Sequence, residues 1–171
     1  HANAEIAGLN QKLQAENLRM GAELNVAREI QLMVIPGEEE LGRVCELDLS
    51  GHMAPADEVG GDYYDVLSGA TGLKIGIGDV TGHGLESGVL MLMAQTAVRT
   101  LLAADERDPA RFLSIVNRVL YQNLQRMRSN KNMSLALLDY ADGHLKVTGQ
   151  HEELIVVRRD GTLERVDTMA L

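Results

Sequence analysis

The residues best suited to chemistry are carboxylates gathered in one stretch of the 171-residue chain. Between Val44 and Val98 the sequence has a single base, Lys74, and eight acids: Glu46, Asp48, Asp57, Glu58, Asp62, Asp65, Asp79 and Glu86. Carboxylates brought close together repel one another, and burial strengthens the repulsion. A fold that gathers them needs a cation or a shifted protonation state, and oxygen ligands favour Mg²⁺ or Mn²⁺ over zinc. The alternative is a solvated acidic surface.

Asp62 and Asp79 differ from ordinary surface acids in what surrounds them. Asp62 follows Gly60-Gly61 and enters a predicted strand, whereas Asp79 ends the apolar strand LKIGIGD and opens the loop VTGHG. Glycine allows the backbone to approach a ligand closely, so acids in these positions are placed to reach one. The glycines could instead cradle a nucleotide phosphate, but their spacing matches neither G-x-G-x-x-G nor a lysine-containing phosphate loop.

Several other chemistries find little support in the sequence. Cys45 lies in an apolar alternating series, which predicts a core residue. The histidines form no H-E-x-x-H motif, and there is no G-x-S-x-G elbow. Asp79 after a buried strand leaves an aspartyl-phosphate enzyme open as a minor alternative. The net charge of −9 and the pI near 5.0 argue against a nucleic-acid binder.

The elements that must position these acids can be predicted from periodicity. Alternation over Cys45–Met53 predicts a half-buried strand, and Tyr63–Leu67 and Leu73–Asp79 predict two more. Helices are predicted over Leu85–Ala104 and Pro109–Met127, followed by strands over Met133–Tyr140, His144–Thr148, Leu154–Arg159 and Thr162–Val166. Strands, two consecutive helices and then meandering strands indicate an α+β fold.

The N-terminal region predicts a long helix over residues 2–35. Its apolar residues recur every seven positions, although Glu16 and Glu23 interrupt the seam; the stripe consists of Ile6, Leu13, Met20, Ala27 and Val34. Such a stripe favours a parallel coiled-coil homodimer, with packing against the helix's own domain as the alternative. Pro36-Gly37 should end the helix, which divides the chain into a helix over 1–36 and a domain over 37–171.

EVGGDYYDV (Glu58–Val66) and IGDVTGHG (Ile77–Gly84), taken together, carry a specific family resemblance. The sequence resembles the SpoIIE/RsbU-like branch of the metal-dependent type 2C (PPM) protein serine/threonine phosphatases over residues 27–171. AREIQLMVIP (Ala27–Pro36) and GQHEELIVVRRDG (Gly149–Gly161) also fit that branch. The resemblance implies a two-sheet antiparallel β-sandwich flanked by helices, and a phosphoserine or phosphothreonine phosphatase activity.

The resemblance also implies a site. Asp62 and Asp79 would be the catalytic and metal-binding aspartates of a Mn²⁺ or Mg²⁺ pair, with Asp79 bridging the metals and Val80 offering its backbone carbonyl. A metal-activated water would then attack the phosphorus directly. The family's later metal aspartates, in a T-D-G-like context, are expected beyond residue 171, so this part of the chain should bind metal weakly. His83 is a weaker candidate for catalysis than for a structural role in its loop.

The implied substrate is a phosphorylated regulatory protein of a bacterial signalling pathway, of the anti-sigma-factor-antagonist type. Two alternatives stay open: an inactive regulatory or dimerisation module of the same fold, and a nucleotide-binding domain. No apolar run approaches the roughly 20 residues that span a bilayer, and the first residues do not match a signal peptide. We therefore expect no membrane contact by this part of the chain and a cytoplasmic location.

Overall fold

Four antiparallel strands form the main sheet, and their order in space follows their order in the chain. In the computed structural model, which describes residues 2–45, 47–53, 59–69 and 72–170, the sheet order is β1 (Tyr63–Gly69), β2 (Gly72–Val80), β3 (Met133–Ala141) and β4 (His144–Gln150). A separate antiparallel hairpin contains β5 (Leu154–Val157) and β6 (Leu163–Val166). These elements confirm the α+β class and all six strands predicted after residue 62, with shifts of at most two residues at their ends.

The helices match the predicted positions closely. They are α1 (Ala2–Leu32), the single turn α2 (Glu38–Leu41), α3 (Leu85–Ala103) and α4 (Pro109–Met127), with a short 3₁₀ turn at Thr168–Ala170. Asp108 caps α4, because its carboxylate accepts hydrogen bonds from the backbone N–H groups of Ala110 and Arg111. Pro109 occupies the first turn, where the missing N–H costs nothing.

The hydrophobic core lies between one face of the sheet and the pair α3–α4. Its centre consists of Tyr63, Leu67, Val80, Leu90, Met91, Ala94, Val98, Phe112, Val116, Leu120 and Leu137. Leu73, Ile75 and Ile77 lie together on one side of β2, as predicted, but this side faces away from the core. Leu73 is 4% exposed and Ile77 is 40% exposed, so coverage of this opposite face decreases toward Asp79.

The predicted strand over Cys45–Met53 is wrong. The described residues 47–53 form no strand, although half-buried and exposed residues alternate along them. Gly51 lies against the Tyr64 ring, so this segment covers the sheet without joining its ladder. The alternation of apolar and polar residues therefore reflects burial of one side of the segment and does not indicate pairing with a neighbouring strand. Cys45, predicted in the core, is exposed, with its thiol 3.6 Å from the Arg43 carbonyl oxygen. Glu46, Asp57 and Glu58 lie outside the described residues.

The N-terminal helix is confirmed but ends at Leu32, four residues before Pro36. The first three residues of its apolar stripe are open to solvent, since Ile6, Leu13 and Met20 are each 55–56% exposed, whereas Val34 at its end is half-buried against the core. Coiled-coil pairing and the domain boundary near residue 37 therefore stay predictions. Among the described helices, α1 included, none is long and apolar enough to cross a membrane.

Candidate metal-dependent phosphatase site

Four polar residues lie in one row across the opposite face of the sheet. β1 and β2 pair with Tyr63 opposite Gly78, so continuing the same register places Asp62 opposite Asp79. Asp79 is itself paired with Ser134 on β3. Across the next ladder, Ser134 meets His151 just after β4, where its Oγ is 2.8 Å from the imidazole Nδ1. Because residues opposite one another project to the same side of a sheet, Asp62, Asp79, Ser134 and His151 share one face.

The glycine before Asp62 is explained by the neighbouring backbone. Gly61 accepts a hydrogen bond from Val80 N–H over 3.2 Å, which extends the ladder beyond Tyr63. A Cβ at residue 61 would lie 2.4 Å from the Val80 carbonyl oxygen and 2.9 Å from its Cβ. Only glycine allows this approach, so Gly61 brings the backbone just before Asp62 against the Val80 carbonyl.

The electrostatics of the row show two carboxylates close enough to interact. The pKa of Asp79 is raised above its ordinary value by burial and by the negative charge of Asp62; His151 and a hydrogen bond from the Val80 backbone N–H partly offset this. Asp62 lines a cleft of about 270 Å³ together with Tyr64, Ile77 and His151. A carboxylate whose ionisation is disfavoured by burial and by a neighbouring acid, as at Asp79, is one that a nearby cation would stabilise.

The loop that follows Asp79 is held by the residues before β3. Thr81 N–H donates to the Asn132 carbonyl over 2.8 Å, and the Thr81 hydroxyl accepts from Asn132 N–H over 3.0 Å. Lys131 Nζ donates to the Thr81 carbonyl over 3.0 Å. His83 lies exposed in this loop, and its role, catalytic or structural, stays a prediction.

The end of α1 contacts the backbone on both sides of the Gly60–Asp62 segment. Gln31 is only 3% exposed, and its amide donates to the Gly60 carbonyl over 3.0 Å and to the Asp62 carbonyl over 3.5 Å. The Tyr64 hydroxyl donates to the Pro36 carbonyl over 3.0 Å. The N-terminal helix is therefore bonded directly to the peptide that carries Asp62.

Asp65, counted in the acid-rich stretch, belongs to a different structure. It lies on the core face of β1, completely buried, and accepts two 2.9 Å hydrogen bonds from the Arg99 guanidinium of α3. This bond raises the pKa of Arg99, and Glu40 of α2 lies 3.9 Å from the same guanidinium. The acid-rich stretch from Val44 to Val98 contains a single base only because Arg99, the residue that pairs with Asp65, lies one position beyond it.

The donors at the row fit a hard divalent cation in type but form only part of a ligand set. Asp62, Asp79 and the Val80 carbonyl provide oxygen atoms, as Mg²⁺ and Mn²⁺ prefer. Within the described residues, no group of three or more His, Cys, Asp or Glu side chains is positioned to hold a metal. Sequence reasoning missed Ser134 and left His151 without a role. The pairing registers of β2 with β3 and of β3 with β4 place both residues beside Asp79.

Comparison with known proteins agrees with this fold. Residues 69–170 match the family model described as Stage II sporulation protein E (SpoIIE). The chain is 27% identical over 146 residues to the phosphoserine phosphatase RsbU of Bacillus subtilis (strain 168), covering 79% of this chain and 42% of that protein.

Two solved structures are similar. One is the SiaA-PP2C domain of Pseudomonas aeruginosa, with a TM-score of 0.65, 26% identity, and coverage of 82% of this chain and 57% of that one. The other contains the RsbU and RsbW domains of Rv1364c from Mycobacterium tuberculosis, with a TM-score of 0.50, 28% identity, and coverage of 64% and 30%.

The fold and these matches define a PP2C-type phosphatase domain. The chain belongs to the SpoIIE family, because the family model matches more than half of it. This confirms the family predicted from EVGGDYYDV and IGDVTGHG. The chain spans less than half the length of the RsbU protein that it matches.

Proposed function

We propose that this chain is part of a protein serine/threonine phosphatase that hydrolyses phosphoserine or phosphothreonine on a small regulatory protein of a bacterial signalling pathway. The observation that carries the proposal is the placement of Asp62 opposite Asp79 on the open face of the sheet. Family membership and the likeness to a phosphoserine phosphatase support the reaction class. An anti-sigma-factor antagonist, phosphorylated on serine, is the substrate type that we propose.

Asp62, Asp79 and the Val80 carbonyl would hold a Mn²⁺ or Mg²⁺ pair, with further ligands supplied from elsewhere in the native protein. Such a pair supplies an activated water and neutralises charge on the phosphoryl group. The chain's own contribution is to fix the two carboxylates on adjacent strands and to hold the Val80 carbonyl beside Gly61. These contacts place oxygen donors before metal arrives, which reduces reorganisation on binding.

Phosphate release from a phosphoserine protein tests the reaction. In the native protein with Mn²⁺, we expect Asp62→Asn and Asp79→Asn each to reduce turnover by at least about a hundredfold, because each removes a ligand of the pair. Asp48→Asn is the matched control, since Asp48 is an exposed acid in the same stretch. Full turnover in both site variants would overturn the proposal. Stabilisation by nucleotide without divalent metal would favour the nucleotide-binding alternative.

We also propose that α1 pairs two copies of the chain in parallel and that this pairing regulates the phosphatase. The solvent-exposed part of the stripe, at Ile6, Leu13 and Met20, supports the pairing. The bonds from Gln31 to the Gly60–Asp62 peptide offer a physical route by which a change in the helix pair would reach the site. Acids at positions 16 and 23 weaken the seam, which suits an interface with two accessible arrangements.

Sedimentation separates pairing from a simple tether. Leu13→Glu with Met20→Glu should convert the dimer to a monomer, because both changes put charge into the seam. Leu18→Glu is the control: Leu18 is 77% exposed and lies off the stripe, so the dimer should survive. In the native enzyme, the double change should also alter turnover on the phosphoprotein. A dimer that persists in the double variant contradicts the pairing. Unchanged turnover in a monomeric double variant would mean that the helix only connects domains and does not regulate the phosphatase.

A further inference from the structure

His151 is held in place through both its backbone and its side chain. Its N–H donates to the Thr168 hydroxyl over 2.9 Å, and the same hydroxyl contacts the His151 carbonyl oxygen. Thr168 is completely buried in the 3₁₀ turn. On the side-chain end, the imidazole Nδ1 lies 2.8 Å from Ser134 Oγ. A half-buried histidine held through its backbone and through one ring nitrogen is preorganised, which is typical of a group that must point in one direction.

The lengths of two contacts favour one tautomer of this imidazole. The Ser134 hydroxyl has one proton and two candidate acceptors, His151 Nδ1 at 2.8 Å and the Asp79 carbonyl at 3.5 Å. The shorter contact has the length of a normal hydrogen bond and the longer one does not, so the proton belongs on the line to Nδ1. When Nδ1 accepts, the neutral imidazole carries its proton on Nε2.

That Nε2–H lies on the same face as the two aspartates. His151 and Asp62 line one cleft, and the backbones of Asp79 and His151 are two strand spacings apart, about 10 Å. This span accommodates two side chains and a phosphoryl group between them. Asp62 and Asp79 offer the substrate only negative charge, so a donor at the other end of the row would complete the site.

We propose that His151, oriented by Ser134, binds the phosphoryl group of the substrate by donating a hydrogen bond from Nε2–H to a non-bridging phosphoryl oxygen. The inference rests on the proposed phosphatase function and adds a substrate-binding residue to it. Ser134 is the positioning residue, because it acts only through the imidazole. No proton is transferred in this role, so His151 should affect substrate binding much more than turnover.

Two replacements of His151 distinguish the ring nitrogens. The glutamine amide places a donor near the former Nε2, whereas the asparagine amide places one near the former Nδ1. In the native protein acting on a phosphoserine protein, we expect His151→Asn to raise KM about tenfold, the effect of one hydrogen bond to a charged group. His151→Gln should stay within about threefold of wild type, with kcat nearly constant in both. His144→Asn, at the far end of β4, is the matched control.

Two further measurements need no turnover, so they judge the assignment even if the proposed reaction fails. Long-range ¹H–¹⁵N spectra should show His151 with its proton on Nε2, and Ser134→Ala should produce a mixture of tautomers. Inorganic phosphate with Mg²⁺ should shift the His151 signals and leave those of His144 in place. A proton on Nδ1 in wild type, an absence of phosphate shifts, or equal KM values for wild type and His151→Asn would each overturn the proposal.

Discussion

The two faces of the four-stranded sheet each carry aspartates, and the fold surrounds them differently. On the core face, Asp65 is completely buried and both of its oxygens receive hydrogen bonds from Arg99. On the opposite face, Asp62 and Asp79 are exposed, and each faces another acid in place of a base. Asp65 in β1 and Asp62, three positions earlier, are therefore surrounded differently: the first is paired within the fold, and the second is one of those that we propose bind an external cation. The comparison shows that partner and burial, more than local acidity, decide what an aspartate does.

The largest expected effect is on the core face. Arg99→Met leaves Asp65 buried without its cation, which costs about 3–5 kcal/mol of unfolding free energy. For a chain of this length, that lowers the melting temperature by roughly 6–20 °C. Thermal unfolding of the purified chain measures it. The control is Arg107→Met, which breaks a similar bidentate pair with Asp105 at the surface, where both side chains are about 60% exposed. An equal loss of melting temperature in the two variants would mean that burial of Asp65 does not increase the stabilisation by its ion pair.

Gly61→Ala should disturb the opposite face through its backbone. The new Cβ would meet the Val80 carbonyl oxygen at 2.4 Å, so either β1 or β2 must move. We expect a loss of about 1–3 kcal/mol in stability, as for other overpacked sites, and weaker Mn²⁺ binding. Gly60→Ala provides the control, since the nearest atom to its Cβ is 3.9 Å away. Should both variants bind Mn²⁺ like wild type, the Val80 carbonyl is not a ligand.

Gln31→Met tests the link from α1 to the peptide that carries Asp62. It removes the donor to the Gly60 carbonyl, a loss of about 1 kcal/mol, and should lower Mn²⁺ affinity several-fold without changing the helix content. Denaturant unfolding and metal titration measure the two effects. Gln14→Met, on the exposed part of the same helix, should change neither. A Gln31 variant that loses stability but keeps its metal affinity would separate α1 from the site.

The smallest predicted effect concerns pH. Because the pKa of Asp79 is raised in the folded chain, the native state binds this proton more tightly than the unfolded state, and stability falls as pH rises from about 3.8 through the raised pKa. Asp79→Asn removes this cost, so the metal-free variant should melt about 1–2 °C higher than wild type at neutral pH. Near pH 3.5 the difference should vanish. A variant that melts lower at neutral pH would mean that Asp79 stabilises the fold.

The sequence predicted the elements well because most have strong periodicity and clear end signals. Pro109 after Asp108 fixed the start of α4, and the alternation in LKIGIGD gave β2. Residues 45–53 failed because alternating burial also occurs where an extended segment lies on a sheet without joining it. Asp62 and Asp79 were predicted as site residues from the glycines beside them, whereas the Ser134–His151 contact depends on two strand registers that no local pattern encodes.

The same limit explains Asp65. Its partner, Arg99, is 34 residues away on a helix, and only the packing of α3 on β1 brings them together. Local composition placed Asp65 with Asp62, although alternation along the strand puts them on opposite faces. The sequence does contain the signal that separates the two acids: positions 62 and 65 are an odd number of residues apart, so their side chains project from opposite faces of the sheet.

Calorimetric titration with Mn²⁺ tests the central claim, that the open-face aspartates and not the buried one form the metal site. The claim predicts that Asp62→Asn and Asp79→Asn each weaken Mn²⁺ binding by at least about tenfold, since losing even an outer-shell partner has that effect, while both chains remain folded and Asp48→Asn binds like wild type. Undiminished binding in Asp79→Asn would contradict the assignment.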